Sequence, residues 1–255
     1  GRLHVAFLDV GQGDAILITS PEGRQVLVDG GRYPSVLLDE LGEQMPFWDR
    51  SIDLLIATHP DDDHVAGLVE AAARYDVGRL ITNGAPPGDN PAYDALLAAV
   101  GENAIHVAQP GEVIELGGGA RLEITHAGGV GLSDNDASVV ARLSYGELSV
   151  LLTGDAGEAA EAAMARSGRP LASVVLKAGH HGAATSSGNA FLRAVAPQFV
   201  VISAGADNNY GHPAPEMLQR AVEIGATILR TDEMGTIEVE SDGERMWWQT
   251  EASDQ

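Results

Sequence analysis

His59-Pro60-Asp61-Asp62-Asp63-His64 places two imidazoles and three carboxylates within six residues. Hard and borderline divalent cations take this mixture of donors. The apolar run Ile52 to Ala57 precedes the segment and the Ala/Leu/Val-rich stretch Val65 to Tyr75 follows it. A strand would therefore fix the backbone, a helix would lead away, and the side chains would converge at the strand end. An acidic tripeptide standing alone would be a solvated loop with Asp63 capping the helix. The flanking histidines turn the reading toward a metal site.

Three later segments repeat the pattern of an apolar strand followed by candidate ligands. Leu151-Leu152-Thr153-Gly154-Asp155 ends on a carboxylate that could bridge two metals or only shape a turn. Val174 through Gly182 (VVLKAGHHG) delivers His180 and His181, and Asn208 through Pro213 (NNYGHP) delivers His212. Five of the eight histidines thus stand at strand ends, whereas His4, His106 and His126 lie in or beside β-rich runs and read as structural.

Lys177 is the only lysine among fifteen basic residues. Its ammonium could bind a substrate phosphate, pair with a site carboxylate, or make a surface ion pair. Thr185, Ser186 and Ser187 either donate to phosphate oxygens or cap the helix near Asn189. Asp14 and Asp29 either orient ligand histidines or shape glycine-flanked turns.

Positioning these groups requires many strands. Leu3 to Val10, Ala15 to Thr19 and Gln25 to Val28 read as a meander, with later strands at Leu80 to Thr82, Val113 to Leu116, Arg121 to Thr125, Val139 to Tyr145 and Leu148 to Leu152. A helix is predicted over Ala92 to Val100. Beyond Asp155, helices Glu158 to Arg166, Asn189 to Val195 and Pro215 to Ile224 alternate with strands Val174 to Lys177, Phe199 to Ser203 and Thr227 to Arg230. A hairpin, Thr236 to Glu240 with Met246 to Thr250, ends the chain. No repeat and no low-complexity linker interrupts this order, so residues 1–255 read as a single α/β domain.

With 44% hydrophobic residues, the 255-residue chain can bury a large core. No stretch approaches the roughly 20 apolar residues of a membrane span, so the chain reads as soluble on its own. It enters a strand at once, as a domain cut from a longer protein would. Absence of cysteine excludes disulfides and thiolate ligands. A net charge of −22 opposes diffuse binding to a phosphate backbone. The arginines are scattered, with no basic run and interleaved aromatics to form a single-strand groove. Metal ions or a local basic patch must therefore meet any polyanion.

Taken in order, these segments resemble the metallo-β-lactamase fold, whose signature H-x-H-x-D-H is followed by a bridging Asp and a late His. Asp61 occupies the place of the second signature histidine. That form, with Asp9 to Asp14 (DVGQGD), Val28 to Gly31 (VDGG), Thr153-Gly154-Asp155, Lys177 to Ser187 (KAGHHGAATSS) and Tyr210 to Pro213 (YGHP), is similar to the C-terminal extracytoplasmic domain of ComEC-type DNA-uptake proteins. The resemblance implies a four-layer αβ/βα sandwich: two mixed sheets face to face, helices outside, and a site along one edge. It implies two divalent cations, with His59 and Asp61 on the first, Asp63 and His64 on the second, Asp155 bridging and His212 completing the second. The family's further first-site histidine is missing, and Asn135 is the first choice to stand there, with Asp134 and Asp136 as alternatives. Oxygen in place of nitrogen favours Mn²⁺ at least as readily as Zn²⁺, with Mg²⁺ also admitted.

The chemistry so implied is phosphodiester hydrolysis by a hydroxide that two metals activate, with Asp63 and Lys177 in the machinery. His180 and His181 stand near the leaving group, one as general acid or phosphate donor and the other structural, the order left open. Single-stranded DNA is the implied substrate, as the strand not transported during DNA uptake. The rest of the polypeptide would carry a membrane channel, with this domain outside the bacterial cytoplasmic membrane. Two other readings remain: a phosphodiesterase on a small or cell-wall ester such as phosphorylcholine, and a metal-stabilised gating or binding module without turnover.

Overall fold

The computed structural model describes residues 1–129, 131–206 and 208–251. Strands β1 (Leu3–Phe7), β2 (Ile16–Thr19) and β3 (Gln25–Val28) form the expected antiparallel meander. Short strands β4 (Ser51–Ile52) and β6 (Asp76–Val77) pair apart from it, while β5 (Leu54–Ala57), β7 (Leu80–Thr82) and β8 (Ile105–Val107) extend the meander in parallel. The second sheet runs antiparallel through β9 (Val113–Gly117), β10 (Ala120–His126), β11 (Val140–Tyr145) and β12 (Leu148–Leu152). Parallel strands β13 (Val175–Lys177), β14 (Phe199–Ile202) and β15 (Thr227–Arg230) complete it. The closing hairpin of β16 (Ile237–Ser241) and β17 (Met246–Thr250) returns to the first sheet, beside β1.

Alternation along the strands makes the layers. Ile16, Ile18, Val26, Val28 and Ile56 point inward to meet Leu122, Ile124, Leu143, Val150 and Val201 of the facing sheet. The intervening Leu17, Leu27 and Leu55 point outward, under helices α1 (Pro34–Gln44), α2 (Asp62–Arg74) and α3 (Pro91–Val100). On the other side, α4 (Glu158–Ser167), α5 (Asn189–Val195) and α6 (Pro215–Glu223) cover Leu151, Leu176, Val200 and Ile202. A one-turn helix α7 (Thr231–Met234) precedes the hairpin. The implied four-layer αβ/βα sandwich is the observed architecture.

One departure from the predicted elements matters for the site. Helix α2 begins at Asp62 rather than Val65, so Asp63 and His64 lie on its first turn, and Asp61 is the N-cap residue without a side-chain cap. That turn is drawn tight against the sheet. A Cβ on Gly67 would stand 1.9 Å from Gly30 O, and Gly30 N donates to His64 O at 2.7 Å. Gly13 permits the matching approach from β1, since a Cβ there would stand 1.8 Å from Asp63 O. Further out, α1 was not predicted, because only Leu37 and Leu41 of its eleven residues are buried.

Glu40 of α1 accepts a 2.6 Å hydrogen bond from the Thr236 hydroxyl. Its burial lifts the carboxyl from 4.5 to about 6 despite that bond, and the charge of Glu251 adds to the rise. A raised folded-state value contributes stability that is complete below the unfolded value and is lost as pH rises through about 6. Glu40→Gln should therefore stabilise the protein by about 1 kcal/mol at pH 8, after solvent screening, and by nothing at pH 4. Urea unfolding at the two pH values checks this; a variant less stable at pH 8 would contradict it.

Candidate metal centre

Every segment that reaches the site leaves the carboxyl end of a strand. The loops after β1 and β3 bring Asp14 and Asp29, those after β5 and β12 bring His59 through His64 and Asp155, and those after β13 and β14 bring His180, His181 and His212. Hydrogen bonds around the ring nitrogens then assign direction. Thr58 gives its hydroxyl proton to Asp29 Oδ2 at 2.7 Å, so its lone pairs accept His59 Nδ1–H at 3.0 Å. The same Asp29 oxygen accepts His64 Nδ1–H at 2.8 Å. His181 Nδ1–H meets Ser203 O at 3.1 Å, with Asp14 Oδ1 alongside at 3.3 Å. Three imidazoles thereby present Nε2 lone pairs toward one point.

Asp155 occupies that point. Its carboxylate oxygens lie 3.2 Å from His64 Nε2, 3.6 Å from His181 Nε2, 3.7 Å from His180 Nε2 and 3.9 Å from His59 Nε2. Asp61 Oδ2 is 3.6 Å from His59 Nε2, and Asp63 Oδ2 is 3.5 Å from His181 Nε2. Gln12 steadies Asp63 through a 3.0 Å amide hydrogen bond. Nε2 of His59, His64 and His181 and Oδ1 of Asp155 are all buried without a hydrogen-bond partner. Each such atom costs about 1–3 kcal/mol, and four converging on one space are the donor set of a divalent cation. Ligand atoms of Asp14, His64, Asp155 and His181 fall within 4.8 Å of one another. Asp14 stands behind His181 in this group, since its other oxygen is engaged by Lys177.

Charge supports the same conclusion. Burial alone would raise the Asp155 carboxyl, but His181 and His64 hold it well below the usual range. Burial likewise opposes charge on His64 and His181. Asp155 and Asp29 nevertheless raise His64 well above 6.5, and Asp155 with Asp14 and Asp63 lifts His181 to about 9. A field that binds protons this firmly draws a divalent cation in their place.

His180 differs from its neighbour. Consecutive left-handed residues, His180 at φ +48° and His181 at φ +54°, send the two rings apart. His181 is buried, whereas the His180 side chain is 34% exposed and burial lowers its pKa. Asn135 Nδ2 lies 3.3 Å from His180 Nδ1, so His180 carries its proton on Nε2. His212 closes the group with its ring 5.4 Å from that of His180 and a buried Nδ1 that has no partner.

Several expectations are corrected. Lys177 is fully buried, ion-paired with Asp14 and hydrogen-bonded to Gly154 O at 3.1 Å, so it does not face solvent. Ser186 is buried and donates to Gly179 O and Ala183 O, and Gly179 N donates to the Ser187 hydroxyl at 3.3 Å. Neither serine caps α5, and both are buried. Glu161 accepts from Ser187 N and Gly188 N, and Arg220 holds the carbonyls of Ala184, Ser186 and Ser187. Thr185 stays exposed on a cleft of about 690 Å³ that Asn135, Asp155 and His180 also line. Asn135 pairs with His180, while Ser138 lies against His59 Nδ1 at 3.4 Å and accepts Asp155 N at 3.2 Å. The structural reading of His4, His106 and His126 agrees with their partners Glu240, Glu112 and Asp136 O.

Residues 8–205 match the family model described as "Metallo-beta-lactamase superfamily". The chain belongs to this superfamily. It is 32% identical to "ComE operon protein 3" of Bacillus subtilis (strain 168), over 92% of this chain and 32% of that protein. It is 30% identical to "Competence protein ComA" of Neisseria gonorrhoeae, over the same shares. The chain thus spans about a third of the length of these relatives. The ComEC-type resemblance seen in the motifs therefore extends over nearly the whole chain. Among solved structures, the metallo-beta-lactamase fold protein YhfI from Bacillus subtilis superposes with a TM-score of 0.61, at 11% identity, over 96% of this chain and 99% of that one. That likeness is one of fold.

Proposed function

We propose that this chain is a metal-dependent phosphodiesterase that cuts single-stranded DNA, acting on the strand not transported during DNA uptake. The observation that carries the reading is the convergence of buried, partnerless Nε2 atoms on Asp155 at the edge of an open cleft. Similarity to competence proteins supplies the substrate class. Two divalent cations would be held by His59, Asp61 and Asp155 and by Asp63, His64, Asp155 and His212, with His181 joining the second group. Bound there, they supply Lewis acidity and a nucleophile at neutral pH. Three carboxylates keep Mn²⁺ at least as suitable as Zn²⁺, although His181 adds a nitrogen to the donor set.

The remaining work falls to the chain's own groups. His180 presents Nε2–H at the mouth, where it donates to the oxygen of the leaving group or to a phosphate oxygen. Asn135 keeps that proton on Nε2. Thr185 offers a hydroxyl on the rim, and Lys177 acts only through Asp14 and His181. In the longer polypeptide this domain would stand outside the cytoplasmic membrane, next to a membrane channel.

The deciding experiment is cleavage of end-labelled single-stranded DNA by the parent and by Asp63→Ala in Mn²⁺, Mg²⁺ and Zn²⁺. The parent should cut, and the variant should be slower by more than about a hundredfold. Equal rates would overturn the reading. The charge of −22 favours one competing reading, a small or cell-wall phosphodiester such as a phosphorylcholine ester, whose trimethylammonium is a cation. Turnover of such an ester with no cleavage of DNA would establish it.

A further inference from the structure

A second cleft, of about 640 Å³, opens beside the metal centre between the loops that follow β1, β3 and β14. Arg32, Tyr33 and Tyr210 line it, and the two tyrosines are 49% and 59% exposed. Arg32 Nη1 reaches the Tyr210 hydroxyl at 3.4 Å, joining positions 178 residues apart. The cleft is tied to the metal centre twice. Gln12 lines it and donates to Asp63, and the Tyr210 ring lies near-parallel to that of His212, 29° apart with centroids at 6.2 Å. Asn208 fixes the loop under Tyr210. Its Oδ1 accepts Tyr210 N and His212 N at 3.2 and 3.1 Å, and its Nδ2 donates to His212 O at 2.7 Å.

We propose that this cleft is a base-stacking subsite in which Tyr33 and Tyr210 take the nucleobase beside the scissile phosphate and Arg32 meets its sugar-phosphate. The inference rests on the nuclease reading above and names how that substrate is held. Its physical basis is the charge. In a chain of −22, with one cation at this cleft and Asp9 on its wall, attraction for phosphate is weak. Stacking on aromatic faces needs no positive field and tolerates any base. One Asp9 oxygen is engaged, accepting Gly11 N at 3.1 Å, and the carboxylate shares the wall with the tyrosine rings. An ester without a base would leave the cleft unused.

Calorimetric titration of the metal-loaded protein with thymidine 5′-monophosphate and with 2-deoxyribose 5-phosphate separates base from phosphate, and neither ligand has a diester to cut. The parent should bind the nucleotide about tenfold more tightly. Tyr33→Ala/Tyr210→Ala should bind the two ligands alike, and Tyr33→Phe/Tyr210→Phe should keep the preference. Equal binding by the parent, or a preference that survives the double alanine variant, would overturn the subsite. A parent that prefers the nucleotide yet cuts no single-stranded DNA would retain the subsite and remove the nuclease. Cleavage without any preference would do the reverse.

Discussion

Lys177→Met is expected to lower the free energy of unfolding by about 3–5 kcal/mol, near the upper limit for one substitution. Lys177 and Asp14 are both buried and in contact, and Lys177 Nζ makes one further bond, to Gly154 O. Burial alone would raise the Asp14 carboxyl, but the Lys177 ammonium, with His181 after it, reverses this and holds it below its usual value. Asp14 is therefore an anion enclosed by protein. Methionine fills most of the lysine's volume, so little of the expected loss comes from a cavity; nearly all comes from a carboxylate left without its cation. Lys177→Met/Asp14→Asn should accordingly recover at least half the loss. Urea unfolding of the three proteins measures both quantities. A single variant within 1 kcal/mol of the parent would show that Asp14 finds another cation or protonates cheaply.

The same pair shows where sequence reasoning stops. That Lys177 ends a strand was legible from VVLK, and so was the choice among a substrate phosphate, a carboxylate partner and a surface ion pair. The outcome depended on Asp14, which the meander of β1 and β2 brings across the first sheet. Periodicity predicts such a strand but not its neighbour in the facing layer. His180 and His181 present the same limit on a smaller scale. Their arrival at the site was legible, but two successive left-handed residues decide which ring enters, and the enrichment of histidine at positive φ is too weak to announce two in succession. Strands rich in β-branched and aliphatic residues were read closely, with Leu148–Leu152 and Thr227–Arg230 matching to the residue. Helix α1 escaped because its apolar stripe is two leucines wide. The cleft of Arg32, Tyr33 and Tyr210 escaped for a different reason. Basic and aromatic residues interleaved along the chain mark a linear groove, whereas this surface is assembled from three separate loops.

Divalent cations should stabilise the parent substantially, and Asp155→Asn should abolish that response. The Nε2 atoms of His59, His64 and His181 and Asp155 Oδ1 are buried without a hydrogen-bond partner, and the network behind them holds them in place. A ligand that binds only the folded state adds about 2.7 kcal/mol at a hundred times its Kd and about 4.1 at a thousand times. For a chain of this length that amounts to a Tm rise of roughly 5–15 °C on adding Mn²⁺ or Zn²⁺ to chelator-treated protein. Asparagine preserves the shape of Asp155 but removes the charge on which the His59, His64 and His181 imidazoles converge, so its metal-dependent gain should fall below about 1 kcal/mol. Without metal the variant should lose some stability as well, because His181 and His64 hold the Asp155 carboxyl well below its usual range and its charge is therefore favourable in the folded state; the additional loss in the presence of metal reports ligation. Thermal unfolding with and without chelator, for both proteins, separates the two roles. An undiminished metal response in Asp155→Asn would place the cation elsewhere, and an equal loss with and without metal would make Asp155 a structural anion rather than a ligand.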